Sequence, residues 1–367
     1  ACGLGHEILE QGEGRLLVIT WTDPPAGTLP YEIEIVVSRD VFSSTVSDPT
    51  AGSDDGFMKP GTLTKPSAAV KKQAQAIAKG AGTGLEAVAR IAAWIHANVE
   101  YDLAYSQDKA DKTAGKVMEA RRGTCDEISH LFIAMARAAG IPAREVSGLA
   151  YTGAVWGFHS WSEVLLGSRW VPVDATNLQI GWVDATHVAF ARDFDDAKFT
   201  QSMEFMSTGT FKVLSHEMDA RIMKASTAKG RIEAKMSYDP ASVPPGQPFT
   251  AKLSVENPTL SWIAGPARLV VPEGFAIEGD AIQIFVLQPH AKVDLSWKVR
   301  AIATAEPGVT YTYRMGAVTS PQLVADADLV VASGIIAGVD ALLDGAGAAV
   351  TSVTLKNALG EPAAARV

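Results

Sequence analysis

Leu85, Val88, Ile91, Ala92, Ile95 and Val99 recur at the three-and-four spacing that lays one face of a helix against a core. The same period predicts a helix from Ser67, its N-cap candidate, to Lys79, with Gly80 as the stop. A third helix begins after Gly123-Thr124. It carries Ile128, Leu131, Phe132, Met135, Ala136 and Ala139 on one face and ends at Gly140 and Pro142. From Arg144 the period falls to two. Arg144 to Ala150, His159 to Leu166 and Trp170 to Asp174 read as strands. Helices followed by an antiparallel sheet make an α+β domain, which the pattern bounds at residues 63–205.

The flanks read differently. Arg15 to Trp21 and Tyr31 to Val37 alternate like strands around the turn Asp23-Pro24-Pro25-Ala26-Gly27, and Ser47 to Gly61 turns polar. Residues 1–62 are therefore an N-terminal β region. Residues 206–230 form a connector. From Arg231 to Ala332, short alternating runs such as Phe249 to Val255 are punctuated by Pro244-Pro245-Gly246, Asn257-Pro258, Pro272-Glu273-Gly274 and Glu306-Pro307-Gly308. That spacing predicts an immunoglobulin-like β-sandwich over 231–332. Residues 333–367 are an Ala/Gly-rich tail, read either as a short β appendage or as a partly mobile segment.

Composition narrows the functional classes. The 367 residues are 47% hydrophobic and 20% charged, with a net charge of -9. An acidic balance argues against a nucleic-acid partner and against electrostatic adhesion to anionic lipid. The longest apolar run, Leu329 to Val339, falls short of the ~18–20 residues a spanning helix needs. Cys2 and Cys125 alone cannot build a disulfide framework. Ala1-Cys2-Gly3 fits the tail of a bacterial lipobox, which makes lipidation of Cys2 one reading and an incidental residue the other. The expected setting is extracytoplasmic, periplasmic or cell-surface, with a membrane tether through a lipid on Cys2 as part of that reading.

Cys125 falls in the first turn of its helix. The partial positive charge there favours a thiolate, the nucleophilic form. Gly123, two residues earlier, is read as letting a substrate backbone come close. A lone cysteine is more often an inert core residue, so its partners decide. If Gly167-Ser168 is a two-residue hairpin loop, Leu166 faces Arg169, and counting outward sets Asp174 opposite Trp161. His159 and Asp174 then share a face as diagonal neighbours, ~7–8 Å apart at the backbone and within reach of an imidazole–carboxylate hydrogen bond. The alternative is that both merely end strands.

Three stretches carry a resemblance. Arg121-Arg122-Gly123-Thr124-Cys125-Asp126-Glu127, continued by Met135 to Arg144, resembles the cysteine motif of the transglutaminase-like superfamily. Gly157 to Val164 resembles its histidine motif, and Trp170 to Thr176 its aspartate motif, in the same order and spacing. Trp94 to Tyr101 resembles the helix that precedes the cysteine motif. The resemblance covers about residues 65 to 200. It implies a papain-type core with a catalytic Cys125, His159 and Asp174. The Cys125 N–H is one oxyanion donor. Tyr101, Asn98 and Trp161 are the further oxyanion or substrate-binding candidates, while Trp94 follows the core spacing of its helix.

His130, five residues after Cys125 on its helix, falls off the Cys125 face. His96, His187, His216 and His290 show no metal-ligand spacing, and Asp193, Asp195 and Asp196 lack that of a calcium loop, so the acidic run reads as a solvated face. Neither metal nor cofactor is expected. The function implied is thiol-dependent acyl transfer on amide bonds of peptides or proteins through a thioester at Cys125, with hydrolysis favoured. Protein cross-linking and a non-catalytic surface binding or scaffold role are the alternatives. The sequence leaves the substrate's identity and the oligomeric state open.

Overall fold

The computed structural model describes residues 3–11, 14–23, 26–39, 45–105, 112–197, 210, 212–215, 217–226, 230–302, 306, 309–320, 323–332, 335–343 and 349–357. Cys2 and His216 lie outside them. The chain divides into two compact units, one of residues 1–44, 50–177 and 182–226, the other of 45–49, 178–181 and 227–367.

The first unit opens on an antiparallel hairpin, β1 (Gly3–Gln11) with β2 (Gly14–Thr22). Tyr31 to Val37 is not a strand. Among the described residues no strand pairs with this run, and Ile35 and Val36 are 70% and 78% exposed. A β-prone run without a neighbour has no ladder to join. Helices α1 (Ala68–Ala78) and α2 (Gly84–Asn98) start where Ser67 and Thr83 hydroxyls accept from Val70 N–H and Glu86 N–H. The apolar face of α2 is buried as its spacing requires. A two-residue strand β3 (Glu100–Tyr101), a short helix α3 (Ala114–Ala120), a strand β4 (Arg122–Gly123) and helix α4 (Cys125–Ala138) follow. Gly140 ends α4 at φ +86°, a left-handed conformation suited to glycine.

Strands β5 (Ala143–Tyr151), β6 (Trp156–Leu166) and β7 (Arg169–Asp174) form the sheet beside α4. A two-residue strand β8 (Gln179–Ile180) comes next in the chain, and β9 (Val188–Asp193) pairs with β5. Helix α4 touches β5 and β6 as well as α1, α2 and α3. Phe132, Leu131, Ile133 and Met135 are fully buried there.

Two buried charges tie this packing together. Arg137 of α4 donates to the Thr64 hydroxyl at 2.8 Å and to the carbonyls of Lys59, Ala143 and Phe194. Asp195 accepts from the backbone N–H groups of Thr62, Leu63 and Thr64 and from the Thr64 hydroxyl. The acidic run is therefore not a plain solvated face. Asp195 is 9% exposed and fills a cradle of amides, and Asp193 accepts from Asp195 N–H.

The second unit holds two antiparallel-rich sheets. One has the order β10 (Glu233–Asp239), β12 (Pro248–Glu256), β16 (Lys292–Arg300), β14 (Ala276–Glu278). The other has the order β11 (Ser242–Val243), β18 (Leu323–Ala332), β17 (Thr310–Thr319), β13 (Ile263–Val270), β15 (Ile282–Leu287). Alternate residues of both sheets, among them Phe249, Leu253, Phe285, Trp297, Leu329 and Val331, form one apolar core. Strands β19 (Ile335–Leu343) and β20 (Ala349–Asn357) pair as a hairpin. No helix among the described residues is long and apolar enough to cross a membrane.

A core of this kind should support independent folding. Residues 230–332 expressed alone are expected to melt cooperatively. Trp297→Ala, which empties a site 2% exposed, should cost about 3–5 kcal/mol in a denaturant titration. A broad, non-cooperative melt of the parent fragment would contradict this.

Candidate active site

The position of Cys125 is set by the turn before it. Arg121 takes a left-handed φ of +58° at the end of α3. The chain then runs parallel to β3, which sets Tyr101 beside Gly123. Thr124 caps α4, and Glu127 reaches back to accept from Thr124 N–H at 2.8 Å and from its hydroxyl. Lys112 Nζ lies 3.0 Å from the other Glu127 oxygen. A Cβ on Gly123 would meet Glu127 Cβ at 2.9 Å. The structure therefore gives Gly123 a reason unlike the one read from the sequence: the helix cap requires it, and it is buried. Cys125 itself is half-buried.

The His–Asp hairpin has the anticipated register. Leu166 pairs with Arg169 and Ser162 with Val173, and Gly167 turns at φ +56°. His159 Nε2 lies 2.8 Å from Asp174 Oδ2. A carboxylate only accepts, so Nε2 carries the hydrogen and Nδ1 is left free of Asp174, while Cys125 acts electrostatically on the ring and its thiol lies 3.8 Å from Asp126 Oδ1. Asp174 is fully buried and fully engaged. Its Oδ1 accepts from the N–H groups of Thr176 and Asn177, and its Oδ2 from the Asn177 amide as well as from His159.

Burial is the largest single influence on Asp174 and acts upward, but hydrogen bonds from His159 and His187 outweigh it. The carboxyl is held far below its usual range. Burial likewise acts downward on His159, and its hydrogen bond to Asp174 with the influence of Cys125 overcomes it, pushing the imidazole up to about 10. The signs give a pH prediction. A raised His159 contributes stability that is complete below the ordinary imidazole value and lost as pH rises through about 10. A depressed Asp174 contributes stability that is present above the ordinary carboxyl value and lost as pH falls. Melting temperature should therefore decline on the alkaline side between neutral pH and pH ~10.5. His159→Ala should flatten that decline, and parallel alkaline limbs in both proteins would contradict the assignment.

His187 is the residue that sequence reasoning missed. It is 1% exposed, with Nε2 3.1 Å from Asp174 Oδ2 and Nδ1 3.2 Å from Asp184 Oδ1. Its ring stands edge-on to His159 at 5.4 Å and to Trp161 at 5.1 Å. One carboxylate oxygen thus holds two imidazoles. Burial pulls His187 down most strongly, but Asp174 and Asp184 together raise it. As a positioning residue it fixes where Asp174 points. His187→Asn is expected to lower kcat about 10–100-fold with KM unchanged, the usual cost of an orienting partner. It should also move the alkaline limb of the pH profile. A change in KM alone would oppose this role.

The remaining candidates separate cleanly. Tyr101 is brought to the site: burial, followed by the Cys125 charge, raises its pKa, which places its hydroxyl within the electrostatic reach of the sulfur. The ring is 48% exposed. Asn98 spends its amide on the Trp94 carbonyl of its own helix at 2.8 Å. Trp161 is 3% exposed and stacks on His159 at 6.1 Å. It supports the imidazole from the core and is not a substrate-facing surface. Trp94 is only half-buried, under the Arg121 guanidinium at 4.6 Å.

Residues 71–175 match the family model of the transglutaminase-like superfamily, so this stretch carries a transglutaminase-like domain. Kyphoscoliosis peptidase from Homo sapiens is 36% identical over 107 residues, which is 26% of this chain and 16% of that protein. The protein of the same name from Mus musculus is 32% identical over 130 residues, 32% of this chain and 19% of that protein. The chain thus matches less than a fifth of these relatives' length. A solved protein from Cytophaga hutchinsonii, described as a "Putative Cysteine Protease", aligns with 29% identity over 38% of this chain and 46% of its own, at a TM-score of 0.33.

Proposed function

We propose that Cys125, His159 and Asp174 act as a catalytic triad for acyl transfer on amide bonds of peptides or proteins. The observation that carries this reading is the 2.8 Å contact of Asp174 with His159, together with the electrostatic coupling of that imidazole to Cys125 at the first turn of α4. The Cys125 proton passes to His159, and the sulfur attacks the amide carbon. The carbonyl π pair moves onto oxygen, where the Cys125 N–H and the Tyr101 hydroxyl stabilise it. When the tetrahedral adduct collapses, the C–N bond breaks, His159 protonates the leaving amine, and a thioester remains on Cys125. Asp174 holds the imidazole in the tautomer that the step needs.

Hydrolysis of that thioester is our preferred outcome. Water loses a proton to His159, adds to the carbonyl, and releases the acid and the thiol. Attack by a lysine amine, giving a cross-linked protein, is the alternative; a binding or scaffold role leaves the pairing of buried Asp174 with His159 beside Cys125 without a purpose. The catalytic domain at 63–205, the N-terminal β region, the connector, the immunoglobulin-like sandwich at 231–332 and the tail are the working division. The setting we propose is extracytoplasmic, periplasmic or cell-surface. Incubating a peptide library with and without an amine donor, read by mass spectrometry, tests the reaction. Cleaved peptides or deamidated glutamines support hydrolysis. Amine incorporation at equal efficiency would replace it by cross-linking, and an unchanged library would remove the enzymatic reading.

A further inference from the structure

The buried side of α4 holds another group of ligand-type side chains. His130 of α4, Glu145 of β5 and Asp196 just after β9 bring a ring nitrogen and two carboxylate oxygens within 4.8 Å of one another. His130 and Glu145 are each 2% exposed. His130 Nδ1 lies 3.2 Å from the Lys112 carbonyl, which only accepts, so Nδ1 carries a hydrogen and Nε2 is turned to the carboxylates. Nε2 sits 3.4 Å from Glu145 Oε1 and has no hydrogen-bond partner among the described residues. The other Glu145 oxygen accepts from Ala197 N–H at 2.7 Å.

Each feature is what a metal site asks for. A ligating imidazole donates its other N–H to a carbonyl, and a ligating carboxylate is oriented by an outer hydrogen bond. A contact of 3.4 Å is long for a hydrogen bond. It is the separation of two ligands that each stand ~2.0–2.1 Å from one tetrahedral ion, about 3.3–3.4 Å apart. Charge points the same way. Asp126 adds to the negative field on both His130 and Glu145, while the nearby Lys112 is paired with Glu127.

We propose that His130, Glu145 and Asp196 bind one zinc ion, which ties the nucleophile-bearing helix α4 to β5 and to the segment after β9. One nitrogen with two carboxylates suits zinc better than calcium, which takes an all-oxygen shell of about 6–8 ligands. The sequence gives no hint of it, because the ligands come from separate elements with no local spacing.

The test uses the full chain carrying Cys2→Ser and Cys125→Ala, so that no thiol can hold the metal. The chelator-stripped protein is titrated with zinc chloride, its bound metal is counted by mass spectrometry after dialysis, and its melting temperature is followed. The expected result is about one zinc per chain with an upward melting shift. Asp196→Asn and Glu145→Gln should weaken zinc binding at least tenfold. Asp196 is only half-buried, so its variant serves if the Glu145 variant fails to fold. No zinc retained by the parent would overturn the proposal. So would full binding in Asp196→Asn, or a site lost in His187→Asn instead, which would assign the metal to His159, Asp174 and His187. A larger shift with calcium than with zinc would overturn the choice of ion.

Discussion

Replacing Cys125 by alanine is expected to lower turnover at least about 10⁴-fold while the melting temperature stays close to the parent's. The sulfur is the only covalent nucleophile in the proposed reaction. Alanine is a strong helix former, and Cys125 is half-buried at the first turn, so its loss opens no deep cavity. The capping contacts of α4 belong to Thr124 and Glu127 and survive the change. The Cys125→Ala/His159→Ala double variant should be no worse than the worse single, because the two groups act as one unit. An additive loss would mean that they do not.

Asp174→Asn should be nearly as damaging to turnover, by about 10⁴-fold, and should also destabilise the domain. An amide is isosteric with the carboxylate but offers one acceptor where Asp174 offers two. Thr176 N–H, Asn177 N–H, the Asn177 amide, His159 Nε2 and His187 Nε2 all point at Asp174 oxygens. An Asn amide nitrogen must face one of these donors, which forces a histidine into the other tautomer or leaves a buried N–H unpaired. Removing one partner from a buried charged network costs about 3–5 kcal/mol. A denaturant titration reads that loss, and kinetics on the folded fraction reads the other. Retained stability together with retained turnover would contradict the account of Asp174 as the hub.

The histidine–aspartate pair was legible because a two-residue turn fixes a hairpin's register. Once Gly167-Ser168 closes the loop, His159 and Asp174 have no freedom but to share a face. Helices α1, α2 and α4 were legible for a similar reason, since caps and a burial face repeat locally. The missing parts are non-local or unpatterned. Tyr101 is among the sequence candidates, but the parallel pairing of Glu100–Tyr101 with Arg122–Gly123 that sets it beside Gly123 is announced by no periodicity. His187 lies on an irregular stretch before β9 and finds Asp174 only through the tertiary fold. Asp195 looked like a solvated charge, because an amide cradle more than a hundred residues away leaves no trace beside it. Tyr31 to Val37 shows the opposite error: alternation predicted a strand, but a strand also needs a neighbour.

The central claim is that His159 acts on the sulfur of Cys125. Iodoacetamide alkylation tests it without any knowledge of the substrate, with peptide mapping to separate Cys125 from Cys2. The rate at Cys125 should be at least tenfold faster in the parent than in His159→Ala at neutral pH. The difference should close as pH rises toward about 10, where His159 gives up its proton. Equal rates in the two proteins from pH 5 to pH 10 would contradict the claim.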